Sequence, residues 1–132
     1  MKIYTSYFSK SKALASKGIL PVSIALYPPK WYTGIKVNDV CPTYDILKNS
    51  KDHGDYTQRF KKEVLSRVNA TRFYEKLIGI SRGKDIALCC YEKPEDFCHR
   101  HIVAEWLKEK IGIEVEEFGV SKNPVYVQPS LF

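Results

Sequence analysis

Between Cys89 and His101 the chain reads Cys-Cys-Tyr-Glu-Lys-Pro-Glu-Asp-Phe-Cys-His-Arg-His, gathering three of its four cysteines and two of its three histidines. These residue types serve as nucleophiles, proton carriers or metal ligands, so their density in one short segment is the first functional signal. Cys98 sits where a helix is expected to begin. Unpaired backbone N–H groups and the helix dipole favour a thiolate there, and a neighbouring Arg or protonated His favours it further. Cys98 is therefore the candidate low-pKa thiol, and the same N–H groups with Arg100 form a candidate site for a phosphate or carboxylate. Glu92, at the tip of the preceding strand, is placed to act as general base or nucleophile.

Strand alternation directs Cys90 and Glu92 to one side and Cys89 and Tyr91 to the other. Cys98 and His99 precede Ile102 and Val103 by three or four residues, so both lean toward the helix face that meets the sheet. Cys90, Glu92, Cys98 and His99 are thus predicted to converge above a sheet edge, with Glu92, Cys98 and His99 catalytic and Cys90 and Arg100 binding. A second reading gives the same four residues to zinc or iron. The Cys-x-Glu and adjacent Cys-His spacings match no common zinc knuckle, and no metal is expected. Cys89 reads as a small core hydrophobe, and Cys41, His53 and His101 read as structural.

The elements that must position these residues alternate between strands and helices. Ile3 to Phe8 and the nearly unbroken apolar run Pro21 to Tyr27 read as strands, with a short Ser9 to Lys17 helix between them that Gly18 ends. Pro28-Pro29 stops the second strand. The stretch from Lys30 to Asp52 is irregular, apart from a short helix from Thr43 to Lys48. Asp55, with Gln58 three residues on, opens a helix whose stripe is Phe60, Val64, Leu65 and Val68. Phe73, Leu77 and Ile80 mark a second helix ended by Gly83. Asp85 to Tyr91 is another fully apolar strand. Ile102, Val103, Trp106, Leu107 and Ile111 make a helix that Gly112 ends, and Ile113 to Phe118 is the last strand. Apolar strands alternating with helices predict a three-layer α/β sandwich around a mostly parallel, Rossmann-like or flavodoxin-like sheet. Residues 1–120 form one domain and 121–132 an extended tail. Ligands in such sheets bind at the carboxyl ends of the strands, which adds Tyr7, Lys30 and Trp31 to the candidate ligand contacts.

With 132 residues, 44% of them hydrophobic, and 27% charged, the chain is one globular domain rather than a disordered or membrane-spanning segment. A formal net charge of +6 favours an anionic partner. No signal-peptide pattern opens the sequence and no apolar run reaches membrane length, so a cytoplasmic setting is expected. There the even cysteine count is no evidence for disulfides, which leaves the thiols buried, metal-bound or reactive. Asn69-Ala70-Thr71 matches a glycosylation sequon by pattern alone.

Ala87-Leu88-Cys89-Cys90-Tyr91-Glu92-Lys93-Pro94 and Phe97-Cys98-His99-Arg100-His101 resemble the domain-of-unknown-function 488 family (DUF488) of bacteria, archaea and phages. That family is marked by a strand ending in Cys-x-Glu and followed shortly by Cys-His-Arg. Here the matching residues are Cys90, Glu92, Cys98, His99 and Arg100, with Ile3 to Tyr7 and Pro29-Lys30-Trp31 in support. The resemblance implies a three-layer α/β fold and no particular activity. Members often carry Asp-Val-Arg after the second strand; Ile24-Ala25-Leu26-Tyr27 stands in that place, so no role is carried over from that arginine. The opening Met1-Lys2-Ile3-Tyr4 is also similar to the start of nucleoside deoxyribosyltransferases, which use a carboxylate at a sheet edge to attack a ribosyl carbon.

The leading functional expectation is a small anionic or nucleotide-like ligand bound, and acted on, at the carboxyl edge through the Cys-x-Glu and Cys-His-Arg residues. The alternatives are the metal site and a non-catalytic nucleic-acid-binding module. The last rests on positive charge and on aromatics such as Trp31 and Tyr32, and the lysines form no basic run. The sequence names no cofactor and leaves open whether the protein is an enzyme.

Overall fold

The computed structural model describes residues 1–91 and 97–120. Glu92 and the expected tail, 121–132, lie outside the described residues. Five strands, β1 (Ile3–Tyr7), β2 (Ile19–Ser23), β3 (Ile35–Lys36), β4 (Asp85–Cys90) and β5 (Val115–Glu117), form one sheet in the order β3-β2-β4-β1-β5. Every pairing is parallel. The helices are α1 (Ser11–Ser16), α2 (Tyr44–Asn49), α3 (His53–Glu63), α4 (Ala70–Ser81) and α5 (His99–Ile111). None of the described helices is long and apolar enough to cross a membrane.

Alternation along the strands divides the core in two. Ile3, Val22, Ile86 and Leu88 face one way and pack with Phe60 of α3, Phe73 and Leu77 of α4, and Val103 and Leu107 of α5. Ile19, Ala87 and Cys89 face the other way and pack with Phe8, Leu14 of α1 and Tyr32. A parallel sheet must be covered on both faces because its connections cross over it, and here the thicker cover lies on the α3–α5 side. The result is the three-layer sandwich that the strand and helix alternation predicts. The cysteine expected in the core, Cys89, is fully buried, and burial pushes its thiol up to about 12.

Local signals set the helix boundaries. Thr43, Asp52 and Asn69 each accept a hydrogen bond at an N-cap, from the backbone N–H of Ile46, Asp55 and Arg72. The asparagine of the sequon thus serves as a helix cap. Helix α3 starts at His53 rather than at Asp55, because Asp52 takes the capping position and Asp55 instead accepts from the Lys51 N–H one turn back.

Two further readings shift. The second strand runs over Ile19–Ser23 and not from Pro21 to Tyr27, so Ile24 and Ala25 are buried beyond its paired end. Proline is tolerated inside β2 because alternation turns Pro21 toward β3, whose pairing involves only Val22 and Ser23. The Pro21 carbonyl accepts from the Tyr32 hydroxyl instead (3.2 Å). The two-residue strand β3 lies within the stretch read as irregular.

Because the strands are parallel, Tyr7, Ser23 and Cys90 all end at the same edge. Helix α5 begins at that edge, which brings its first turn beside the end of β4.

The core predicts a sharp contrast in stability. Phe60→Ala should cost about 3–5 kcal/mol in urea unfolding. Ile78→Ala, on the exposed side of α4, should stay within about 0.5 kcal/mol of wild type.

Candidate functional site

Cys90 closes β4, and Cys98 is the N-cap of α5 with extended backbone and no side-chain capping bond. Both side chains are buried and their sulfurs join as a disulfide. This corrects the expectation that the chain contains no disulfide. The fold holds the strand end and the helix start side by side. Cys41 and Cys89 are free and buried. Cys41 lies near the carbonyls of Ala25 and Val37, and burial raises it to about 11.

His99 follows in the first turn of α5. Its Nε2 lies 2.7 Å from the Ile24 carbonyl. A carbonyl can only accept, so Nε2 carries the proton and Nδ1 presents a lone pair. Nδ1 lies 3.8 Å from the Cys98 sulfur. Burial, with the nearby charges of Arg100 and His101, lowers the imidazole to about 4, so it is neutral at pH 7.

Arg100 has no solvent exposure. Its Nε and Nη2 donate to the two carboxylate oxygens of Glu117 on β5 (3.0 and 3.1 Å), and Nη1 donates to the Cys90 sulfur (3.0 Å). The Thr5 hydroxyl donates to the same carboxylate (2.6 Å), and the guanidinium lies over the Tyr7 ring at 5.8 Å. Arg100, taken from the sequence as a ligand contact, therefore directs its fork into the protein, and Tyr7 flanks it there.

Cys90, Cys98 and His99 line a pocket of about 410 Å³ together with Tyr27, Lys48, Tyr56, Tyr91 and Phe97. His53 stacks on Phe97 at 4.1 Å between ring centroids, which gives a residue read as structural a place beside the pocket. Lys30 and Trp31 are exposed and stand outside the pocket's lining, Trp31 meeting Phe8 edge-on. Sequence reasoning passed over Lys48 and Tyr56 because they become neighbours of Cys90 only when α2 and α3 fold over the strand ends. It also passed over Glu117, whose one local signal is an acidic residue on the inward phase of an edge strand.

The described residues form a parallel α/β sandwich with a cysteine pair and a neutral histidine at the carboxyl edge of its sheet, the edge at which such sheets commonly bind ligands. Residues 25–111 match the family described as the Active DUF488-N3 subclade (DUF488-N3a), and the chain belongs to the DUF488 family. No curated protein and no solved structure is significantly similar to it.

Two measurements probe this arrangement. Glu117→Ala strands a buried cation and should destabilise the protein by about 3–5 kcal/mol in urea unfolding. The double variant Glu117→Leu/Arg100→Met should recover most of that loss, because it removes both charges. The second test concerns pH. The folded pKa of His99, about 4, lies below its ordinary 6.5, so the unfolded chain takes up a proton first as pH falls. The stability this shift confers is complete above pH 6.5 and is lost between there and pH 4, amounting to about 3 kcal/mol. His101 shifts in the same direction, mainly through burial. A His99→Asn variant should lose less stability than wild type over that window in urea titrations.

Proposed function

We propose that the pocket binds a small nucleotide-like ligand and that, once the Cys90–Cys98 bond is reduced, chemistry on it runs through Cys98 and His99. The observation that carries this reading is the pocket's composition. Tyr27, Tyr56, Tyr91 and Phe97 provide aromatic walls suited to a planar base, and Lys48 at the rim supplies one cation for a phosphate or carboxylate. The Nδ1 lone pair of His99 and the sulfurs of Cys98 and Cys90 face the same space. Arg100 serves as a positioning residue that holds Cys90 and the first turn of α5. Glu92 is retained as a candidate base from the sequence motif. The subclade's description as active supports a chemical role over a purely architectural one, and the reading includes a cytoplasmic setting.

Binding of a panel of nucleosides and nucleoside monophosphates, followed by calorimetry on the full chain, tests the proposal. At least one monophosphate should bind, and Lys48→Ala should weaken it about 5-fold or more while leaving the matching nucleoside unchanged. If no member binds at millimolar concentration, the nucleotide-like reading fails.

A further inference from the structure

We infer that Cys90, Cys98 and His99, with the cysteines reduced, form a binding site for one zinc ion whose fourth position opens into the pocket. The Sγ atoms of both cysteines and one ring nitrogen of His99 lie within 4.8 Å of one another, and all three residues are buried. Once the sulfur–sulfur bond is reduced, an ion about 2.1–2.3 Å from each ligand atom would sit between three donors that already lie this close. The Cα atoms of Cys90 and Cys98 are 7.3 Å apart, wider than the ~4.4–6.8 Å usual for a disulfide. Two thiolates on one ion hold their sulfurs farther apart than a disulfide does, so this backbone spacing suits the metal-bound form.

Three features beyond proximity point to an ion. First, Nε2 of His99 is tied to the Ile24 carbonyl at 2.7 Å, the outer-shell bond that fixes a metal-binding imidazole in the tautomer with its lone pair on the other nitrogen. Second, the charges close: two thiolates balance a divalent cation, while Arg100 is balanced separately by Glu117. The buried site then carries no net charge, and the Arg100 Nη1 bond to the Cys90 sulfur becomes an N–H bond to a metal thiolate. Third, two sulfurs and an imidazole leave one tetrahedral position, and all three residues line the pocket. That is the donor number of a site that takes water or substrate as a fourth ligand. Two soft ligands and one borderline ligand favour zinc over magnesium or calcium.

The chemistry balances in two steps. A dithiol reductant gives two electrons and two protons to the Cys90–Cys98 bond and is itself oxidised to a disulfide. Zinc then replaces the two thiol protons, which are released to solvent. The assignment rests on the ligand reading above for what occupies the fourth position, and in the zinc form Cys98 and His99 act on that ligand through the ion rather than as free nucleophile and base.

The test uses the full chain, reduced with a phosphine and freed of metal, then titrated with zinc or cobalt(II) chloride. The reduced protein should bind one equivalent of zinc by elemental analysis, and the cobalt form should show thiolate-to-cobalt charge-transfer absorption in the near ultraviolet. Cys90→Ser, Cys98→Ser and His99→Asn should each weaken zinc binding at least about 10-fold, and Cys89→Ser should leave it unchanged. The oxidised protein should bind no stoichiometric zinc. Circular dichroism identifies any variant that fails to fold, and for such a variant the zinc-dependent rise in wild-type melting temperature stands as the readout. Substoichiometric zinc on the reduced wild type, a cobalt spectrum without charge transfer, or equal binding by the oxidised form would overturn the assignment. Because metal alone is the probe, a failed nucleotide panel leaves this result intact, and a failed zinc titration leaves the nucleotide reading intact.

Discussion

A guanidinium with no solvent exposure is the group this fold can least tolerate unpaired, and the arrangement around Arg100 follows from that constraint. Removing such a charge from water costs several kcal/mol, and only close, well-directed partners offset it. Glu117 supplies a two-pronged carboxylate from the edge strand β5, Thr5 from β1 fixes that carboxylate, and the remaining arm reaches Cys90 at the end of β4. One residue on α5 is thereby bonded to β4 and β5, and through Glu117 to β1. A shift of the helix by one residue would break all of these bonds together. We read the pair as setting the position of α5 on the sheet more than as a source of net stability.

That fixed position determines what the first turn of α5 can do. With Arg100 held, the residues immediately before it have little freedom. His99 reaches the Ile24 carbonyl beyond the end of β2, and Cys98 meets Cys90. The same burial keeps His99 neutral, so a lone pair rather than a positive charge faces the sulfurs. The reactive atoms are therefore positioned by three strand ends and one helix start, all brought to one edge by the parallel order of the sheet.

Much of this was legible in the sequence because it is local. Strand alternation separates Cys90 from Cys89, helical phase turns His99 inward, and a glycine at positive φ ends α5 where the pattern stops, at Gly112. The boundaries that moved did so for equally local reasons, as where Asp52 rather than Asp55 caps α3. What could not be read is long-range. Glu117 lies seventeen residues from Arg100 in sequence, and only the strand order, which puts β5 beside β1, makes them partners. A cysteine count is likewise silent on geometry. The compartment argument says nothing of two sulfurs that the strand end and the helix start bring side by side.

The burial of Arg100 also changes how the net positive charge bears on recognition. A sequence rich in lysine with an arginine in its motif invites the idea that this arginine grips an anion. Here that fork is satisfied internally, and the cationic surplus stays on scattered side chains such as Lys30 and Lys36 at the surface. Among the described residues the pocket lining offers aromatic rings, two sulfurs and a neutral imidazole, with Lys48 its one lysine or arginine. Under the proposed nucleotide-like reading, shape and stacking then supply most of the discrimination, and a single rim cation orients an anionic group without dominating the affinity. A soft, neutral interior of this kind sets two thiol sulfurs and an imidazole nitrogen around one point, and for a buried thiophilic cation those donors meet both its charge and its ligand preference.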